Sequence, residues 1–332
     1  DGKKLLFCNF TRPNFITISS LRCYILAREW LTAPEMRGTM ATATAQPAVM
    51  RPLQAYLDLT RPKAVLPHLV TAAAAMFLAA GGVPPAATLL FTLLGGGCVA
   101  AAANTFNSYL DRDIDALMAR TCRRPLPAGL VRPGPALALG LGISLAGIAI
   151  LSGLVDLVAA MLAVTALLYY VVPYTLWLKR RTYWSAIIGS TIGAFPPLIG
   201  WTVLTHRLGP TPFLLAAIII LWTLPHFWTL ALFRRSDYAR AGLRILPEKG
   251  VPAGIFACSL LMVAVSLFLV PVAGLGPFYT GVAAVTGAVF LYLAPRPKQG
   301  YHIWAARRLY GYSIFYIAVL FGAMIIDRAA GL

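Results

Sequence analysis

The sequence predicts an all-α polytopic membrane protein, with nine transmembrane helices around a central cavity. Of its 332 residues 59% are apolar and 12% charged, and the mean hydropathy is +0.75. A water-exposed globular surface needs roughly a quarter of the residues charged. Apolar runs of about 20 residues recur, the length at which a helix crosses a bilayer. The 28 Lys and Arg outnumber the 11 Asp and Glu, a formal net charge of +17, and they cluster between those runs. A nucleic-acid binder would instead show basic faces on a polar surface, so no nucleic-acid partner is expected.

Residues 1–52 stand apart as a disordered or non-native N-terminal extension, and 53–332 form the membrane domain. Within 1–52, Ile16–Leu31 is interrupted by Arg22, Arg28 and Glu29, and Ala41–Pro52 is small and polar. The nine spans are expected at about 64–82, 86–106, 136–155, 157–178, 183–203, 211–233, 252–272, 275–294 and 309–327. Gly95–Gly97, Gly189–Gly193 and Pro196–Pro197 fall inside them, which membrane helices tolerate because small residues let backbones approach. All Lys and Arg except Arg207 and Arg328 lie before the first span or in loops 2–3, 4–5, 6–7 and 8–9. The positive-inside rule makes those loops and the N-terminus cytoplasmic. Five cysteines, Cys8, Cys23, Cys98, Cys122 and Cys258, show no metal or redox spacing.

Loops 2–3 and 6–7 suggest a weak parallel repeat. One runs from Asp111 to Arg124-Pro125-Leu126-Pro127, the other from Asp237 to Arg244-Ile245-Leu246-Pro247. They lie four helices apart, implying two four-helix halves plus a ninth helix.

Chemistry concentrates in Asn104-Thr-Phe-Asn107-Ser-Tyr-Leu-Asp111-Arg-Asp113-Ile-Asp115. At about 100° per residue, Asn104, Asn107, Asp111 and Asp115 share a sector about 80° wide, and Asp113 points about 180° away from Asn104. Amides and carboxylates on one helix face are expensive in lipid and should face a wet cavity. Two carboxylates one turn apart suit Mg²⁺, which completes its shell with water and phosphate oxygens. Arg120, Arg123 and Arg124 follow directly, so carboxylates, metal and guanidinium groups would together grip a diphosphate. A second cluster holds Pro225-His226-Phe227-Trp228, Arg234, Arg235, Asp237 and Tyr238. His226 inside a span reads equally as a functional group or a packed histidine, and His68 has the same ambiguity.

These residues resemble the UbiA superfamily of intramembrane prenyltransferases, whose Asn-x₃-Asp-x₃-Asp pattern is met by Asn107, Asp111 and Asp115. The resemblance runs from about Leu57 to Asp327. It is closest to the branch that prenylates haem, through Leu110–Thr121, Arg124–Gly129, Tyr174–Thr182, Gly193–Trp201, Pro225–Trp228 and Asp237–Gly242. Ser236, Leu224 and Glu248-Lys249 depart from that branch's usual residues.

The resemblance implies a UbiA-like fold, Mg²⁺ as cofactor, farnesyl diphosphate and haem B as substrates, and haem O as product. It assigns Asn107, Asp111 and Asp115 to the metal and diphosphate, with Asp237 from the second motif. Asn104, Arg120, Arg124, Lys179, Arg180, Arg61 and Lys63 become substrate contacts. His226 is a further substrate-binding candidate, and Arg234, Arg240 and Arg244 are open candidates for the haem propionates, which need cations. The bilayer is the medium, a bacterial cell membrane in preference to a mitochondrial inner membrane. Haem A synthase or oxidase assembly proteins are the expected neighbours. The alternatives are a UbiA-type enzyme with an aromatic quinone-precursor acceptor, and a transporter or channel using the Asn–Asp face as an ion site. A transporter needs charge through to the far side, where only Asp156, Arg207 and Asp327 stand out.

Overall fold

The computed structural model describes residues 52–247, 249–295 and 302–331. The expected extension 1–52 therefore lies outside the described residues, apart from the proline that opens the first helix. Contacts divide the chain into Asp1–Gln54 and Ala55–Leu332, and everything below concerns the second unit. After the short helix α1 (Pro52–Thr60), α2 (Pro62–Ala80) and α3 (Ala86–Leu110) form an antiparallel pair. The loop helix α4 (Arg112–Leu117) precedes α5 (Pro133–Leu154). The fourth span begins as α6 (Leu157–Tyr169) and ends as a π-helical segment, Tyr170–Leu178. The fifth joins α7 (Trp184–Ser190) to α8 (Phe195–Thr205) through a 3₁₀ turn at Thr191–Ala194. Then come α9 (Pro210–Phe233), the loop helix α10 (Arg235–Arg240), α11 (Val251–Ala273), α12 (Pro277–Leu293) and α13 (Ile303–Ala330).

Among the described residues, eight helices or joined helices are long and apolar enough to cross a membrane. The ninth, α12, has 17 residues. This is an integral membrane protein. Proline opens α2, α5, α9, α11 and α12 within their first two positions, where its missing N–H has no intrahelical acceptor to lose. The last span starts at Ile303, six residues before the expected 309, because two turns that include Arg307 and Arg308 precede the apolar stretch.

Besides a small apolar cluster of Ala55, Leu59, Leu126, Val131 and Ala136, two larger ones make up the core of the described residues. One combines Met76, Val99, Leu151, Ala160, Ile199 and Val203, from the first five spans. The other is built on spans six to nine, around Leu215, Ile218, Met262, Tyr279, Phe290, Tyr316 and Phe321, with Ala74, Ala75 and Ala186 added from spans one and five. Close crossings need absent side chains. A Cβ on Gly200 would stand 2.2 Å from the Ala72 carbonyl oxygen, and one on Gly147 would stand 2.7 Å from that of Gly95. Those contacts fix α8 against α2 and α5 against α3.

At the end of the bundle remote from the basic loops, ionisable side chains serve the backbone. Asp156 accepts from Ala159 N at 3.1 Å and caps α6. Asp327 accepts from Gly276 N at 2.8 Å and Tyr279 N at 3.2 Å, satisfying the orphan donors that begin α12.

Candidate active site

Helix α3 carries its polar face into a buried cluster at its C-terminal end. Backbone bonds Asp111 N to Asn107 O (2.9 Å) and Asp115 N to Asp111 O (2.7 Å) carry helical phase across the break at Asp111. The face predicted from spacing therefore persists into α4. Asn107, Asp111 and Asp115 are 3%, 1% and 2% exposed, while the Asp113 side chain is 59% exposed and pairs with Arg180.

Each buried carboxylate is met by a cation from another element. Lys179 Nζ donates to Asp111 Oδ2, and Asn107 Nδ2 donates to the same oxygen at 2.8 Å. Arg124 Nη1 lies 2.7 Å from Asp115 Oδ2, with Arg61 Nη2 at 3.9 Å. Arg61 also donates to Asn107 Oδ1 (3.2 Å) and Ser108 Oγ (2.9 Å). Its backbone sits at φ 49°, a left-handed conformation uncommon outside glycine. That turn between α1 and α2 is what aims the guanidinium into the cluster. Asn104 Nδ2 bonds the Thr60 carbonyl at 3.2 Å, tying the same turn to α3.

The π-helical end of the fourth span supplies the remaining partners. Pro173 lies within it, and proline both lacks a donor and crowds the carbonyl four residues back. The wider turn absorbs this, with Lys179 N bonding Tyr174 O at 2.9 Å. Thr175 Oγ1 donates to Tyr170 O (2.8 Å) and accepts from Asn107 Nδ2 (3.4 Å). Lys179 faces Asp111, whereas Arg180 faces outward, its guanidinium bonding Asp113 and the Leu110 carbonyl. That guanidinium holds the Asp113 carboxyl below its ordinary range.

The donor set can be tested for a metal. Asp111 Oδ1 is sealed from solvent and has no hydrogen-bond partner, and Asp115 Oδ1 accepts none among the described residues. Among those residues no group of three His, Cys, Asp or Glu converges. A hard cation could thus take two carboxylates here and would draw its other oxygens from water or a ligand, the habit of Mg²⁺. The residues fit.

Loop 6–7 reaches the site through Asp237, 4% exposed, whose Oδ1 accepts from Ala119 N at 3.3 Å. Tyr238 follows it, and burial pushes its phenol above the ordinary value, so it stays an O–H donor near Arg120 and Arg124.

A model of the UbiA prenyltransferase family matches residues 68–320. The chain belongs to that family. Among UbiA relatives, the protoheme IX farnesyltransferase of Roseiflexus sp. (strain RS-1) is 45% identical over 231 residues, which are 68% of this chain and 43% of that protein. The chain therefore spans under half the length of that relative. The protoheme IX farnesyltransferase of Gloeobacter violaceus is 40% identical over 291 residues, 85% of this chain and 94% of that protein. The solved digeranylgeranylglyceryl phosphate synthase shares the fold at TM-score 0.70 and 17% identity, covering 85% of this chain and all of that one. A UbiA homologue from Archaeoglobus fulgidus bound to GPP and Mg²⁺ superposes at TM-score 0.59 and 14% identity, covering 81% and 99%.

Within this UbiA frame the expected site residues separate. Asn104, Asn107, Asp111, Asp115, Arg61, Arg124 and Lys179 come together. Arg120 is exposed beside Tyr238, and Lys63 is exposed and outside the cluster. Arg180 belongs to the outer face because the π segment aims Lys179, not its neighbour, inward. Arg234 and Arg240 are exposed on loop 6–7, the former 5.6 Å over the Phe233 ring. Arg244, with Arg181, Arg235 and Tyr238, lines an open groove of about 600 Å³. His226 lies deeper, bonded to Ser313. Sequence spacing missed Ser108 and Thr175, since a hydroxyl in an apolar run ordinarily just bonds its own helix.

Proposed function

We infer that this chain transfers the farnesyl group of farnesyl diphosphate to a vinyl group of haem B, with water adding across the new cation, to give haem O. The observation that carries the reading is the pair of buried carboxylates ringed by Arg61, Arg124 and Lys179, with Asp111 Oδ1 buried and without a hydrogen-bond partner among the described residues. Relatives named for farnesylating protohaem IX supply the acceptor.

Asn107, Asp111 and Asp115 would hold Mg²⁺ together with the diphosphate. When bound, the metal supplies charge that offsets the leaving diphosphate. Lys179 and Arg124 are paired with the carboxylates. A diphosphate offers them a stronger anion, and Lys179, Arg124 and Arg61 can move their hydrogen bonds onto its oxygens without leaving the cluster. There they stabilise the negative charge that grows as the allylic C–O bond breaks and its electron pair departs with the diphosphate. Asn107, braced by Arg61 and Thr175, keeps Asp111 aimed. The bundle screens the allylic carbon from bulk water until the vinyl π electrons attack it. Water then bonds to the cationic vinyl carbon and loses a proton.

By the positive-inside rule the basic loops would be cytoplasmic in a bacterial cell membrane, with haem A synthase or oxidase assembly proteins as neighbours. Asp156 and Asp327 are committed to capping helices, which disfavours the transporter reading.

The test is purified protein with haem B, farnesyl diphosphate and Mg²⁺, followed by chromatography and mass measurement of the haem. A product heavier by farnesyl plus water is expected. Unmodified haem, under conditions where the Gloeobacter relative converts it, would contradict the reading.

A further inference from the structure

A groove at the basic end of the bundle gathers cations that the buried carboxylates do not use. It measures about 600 Å³, and Arg181 from loop 4–5 lines it together with Arg235 and Arg244 from loop 6–7. All three are exposed, and none pairs with an acid among the described residues. Other arginines at this end are engaged. Arg61 and Arg124 face Asp115, Arg180 holds Asp113, and Arg234 and Arg307 lie over the Phe233 ring. No Asp or Glu is among the described residues that line the groove. A cleft with charges of one sign and apolar walls concentrates the opposite charge.

The walls are apolar. Leu232 on α9, Leu246 in the loop and Val251 at the start of α11 line the groove. One turn before Leu232, Trp228 is 6% exposed, and a Cβ on Gly254 of α11 would stand 2.8 Å from its ring. The indole thus fills the space between α9 and α11 and floors the groove on that side. Tyr183, on the same groove, stacks on Trp184 at 5.2 Å and 27°, and Trp184 is 51% exposed. Such rings at the end of a span collect at the level of lipid headgroups.

Cations beside apolar walls at headgroup depth suit a phosphate that carries acyl chains. A soluble phosphate would use the arginines and leave the leucines wet. Basic pockets between transmembrane helices are sites for anionic headgroups, and the volume lies within the roughly 300–1,000 Å³ of small-ligand sites.

We propose that this groove binds the headgroup of an anionic phospholipid, with its phosphate on Arg181, Arg235 and Arg244. The lipid would also bridge two loops that serve the active site. Loop 4–5 carries Lys179, which faces Asp111, and loop 6–7 carries Asp237, which holds Ala119. Among the described residues no hydrogen bond or ion pair joins those two loops. The proposal does not depend on which acceptor is prenylated.

The test is native mass spectrometry of the full chain in detergent, with phosphatidylglycerol and phosphatidylcholine of identical chains added at equal concentration. The wild type should retain one phosphatidylglycerol in preference by about 10²-fold, from three arginines at roughly fivefold each. Arg181→Gln, Arg235→Gln and Arg244→Gln should each cut that preference about fivefold, and the triple variant should abolish it. Thermal unfolding in phosphatidylcholine checks that the triple variant is folded, and the single variants decide if it is not. Removing equal charge off the groove, with Arg132→Gln, Arg307→Gln and Arg308→Gln together, should leave the preference intact. Excess inorganic phosphate or ferric haem B should not displace the lipid. Loss of preference in the off-groove variant would reduce the effect to net charge and overturn the proposal. Displacement by phosphate would make the groove a free-anion site, and displacement by haem a propionate site, and either overturns the lipid. A wild type without preference overturns the groove and leaves the haem-acceptor reading standing.

Discussion

Loops 2–3 and 6–7 both follow a long apolar helix, both fold into a six-residue helix and both bury an aspartate, yet those aspartates are wired differently. Asp111 and Asp115 face lysine and arginine side chains from other elements. Asp237 answers a backbone N–H at Ala119. A side-chain cation can exchange a carboxylate for an incoming phosphate, whereas a backbone N–H cannot follow a ligand. The first loop is therefore suited to capture and release, and the second to holding the first in place.

The sharpest way to break this contrast is to neutralise the first pair. Asp111→Asn and Asp115→Asn should each lower kcat/KM by about 10³-fold, at the upper end for removing one electrostatic contact in a preorganised site. Full truncation to Ala adds a stability loss of roughly 3–5 kcal/mol by stranding Lys179 or Arg124. Steady-state kinetics and thermal unfolding separate the two effects. Next come the adjacent cations on opposite faces. Lys179→Gln should cost about 10²-fold in kcat/KM, while Arg180→Gln should stay within about fivefold, the reach of an exposed pair worth at most ~1 kcal/mol.

Asp237→Asn keeps an oxygen for Ala119 N, and its activity should fall by less than about tenfold, since one neutral hydrogen bond contributes only about 1 kcal/mol. A loss equal to that of Asp111→Asn would put Asp237 among the charge-bearing ligands. The smallest effect is expected at Asp113. Its carboxyl is depressed by Arg180, so its stabilisation is complete above the ordinary carboxylate value of about 4 and fades as pH falls through the lower folded value. With Asp113 more than half exposed, screening leaves well under ~1 kcal/mol. Thermal melts between about pH 3 and 6 should show that difference between the wild type and Asp113→Asn.

The spans were legible because bilayer thickness imposes length on apolar runs, and the buried face of Asn104, Asn107, Asp111 and Asp115 because lipid makes polarity costly. Local irregularities were not. The π segment at Tyr170–Leu178 and the 3₁₀ turn at Thr191–Ala194 answer to Pro173 and to packing, neither of which has a periodic signal. Their phase decides that Lys179, rather than Arg180, enters the site. Thr175 and Ser108 were hidden for a related reason, since their second hydrogen bonds come from Asn107 and Arg61 on other elements. Arg61 looked like one of several flanking cations until the left-handed turn at its own backbone gave it direction.

Equilibrium binding of a non-reactive farnesyl thiodiphosphate, with and without Mg²⁺, tests the buried carboxylate face most directly. The wild type and Asp113→Asn should bind at least about tenfold more tightly with Mg²⁺, as two retained carboxylates and a diphosphate shell require, and Asp111→Asn and Asp115→Asn should lose that gain. A Mg²⁺ response that survives in Asp111→Asn and Asp115→Asn, or vanishes equally in Asp113→Asn, would contradict it.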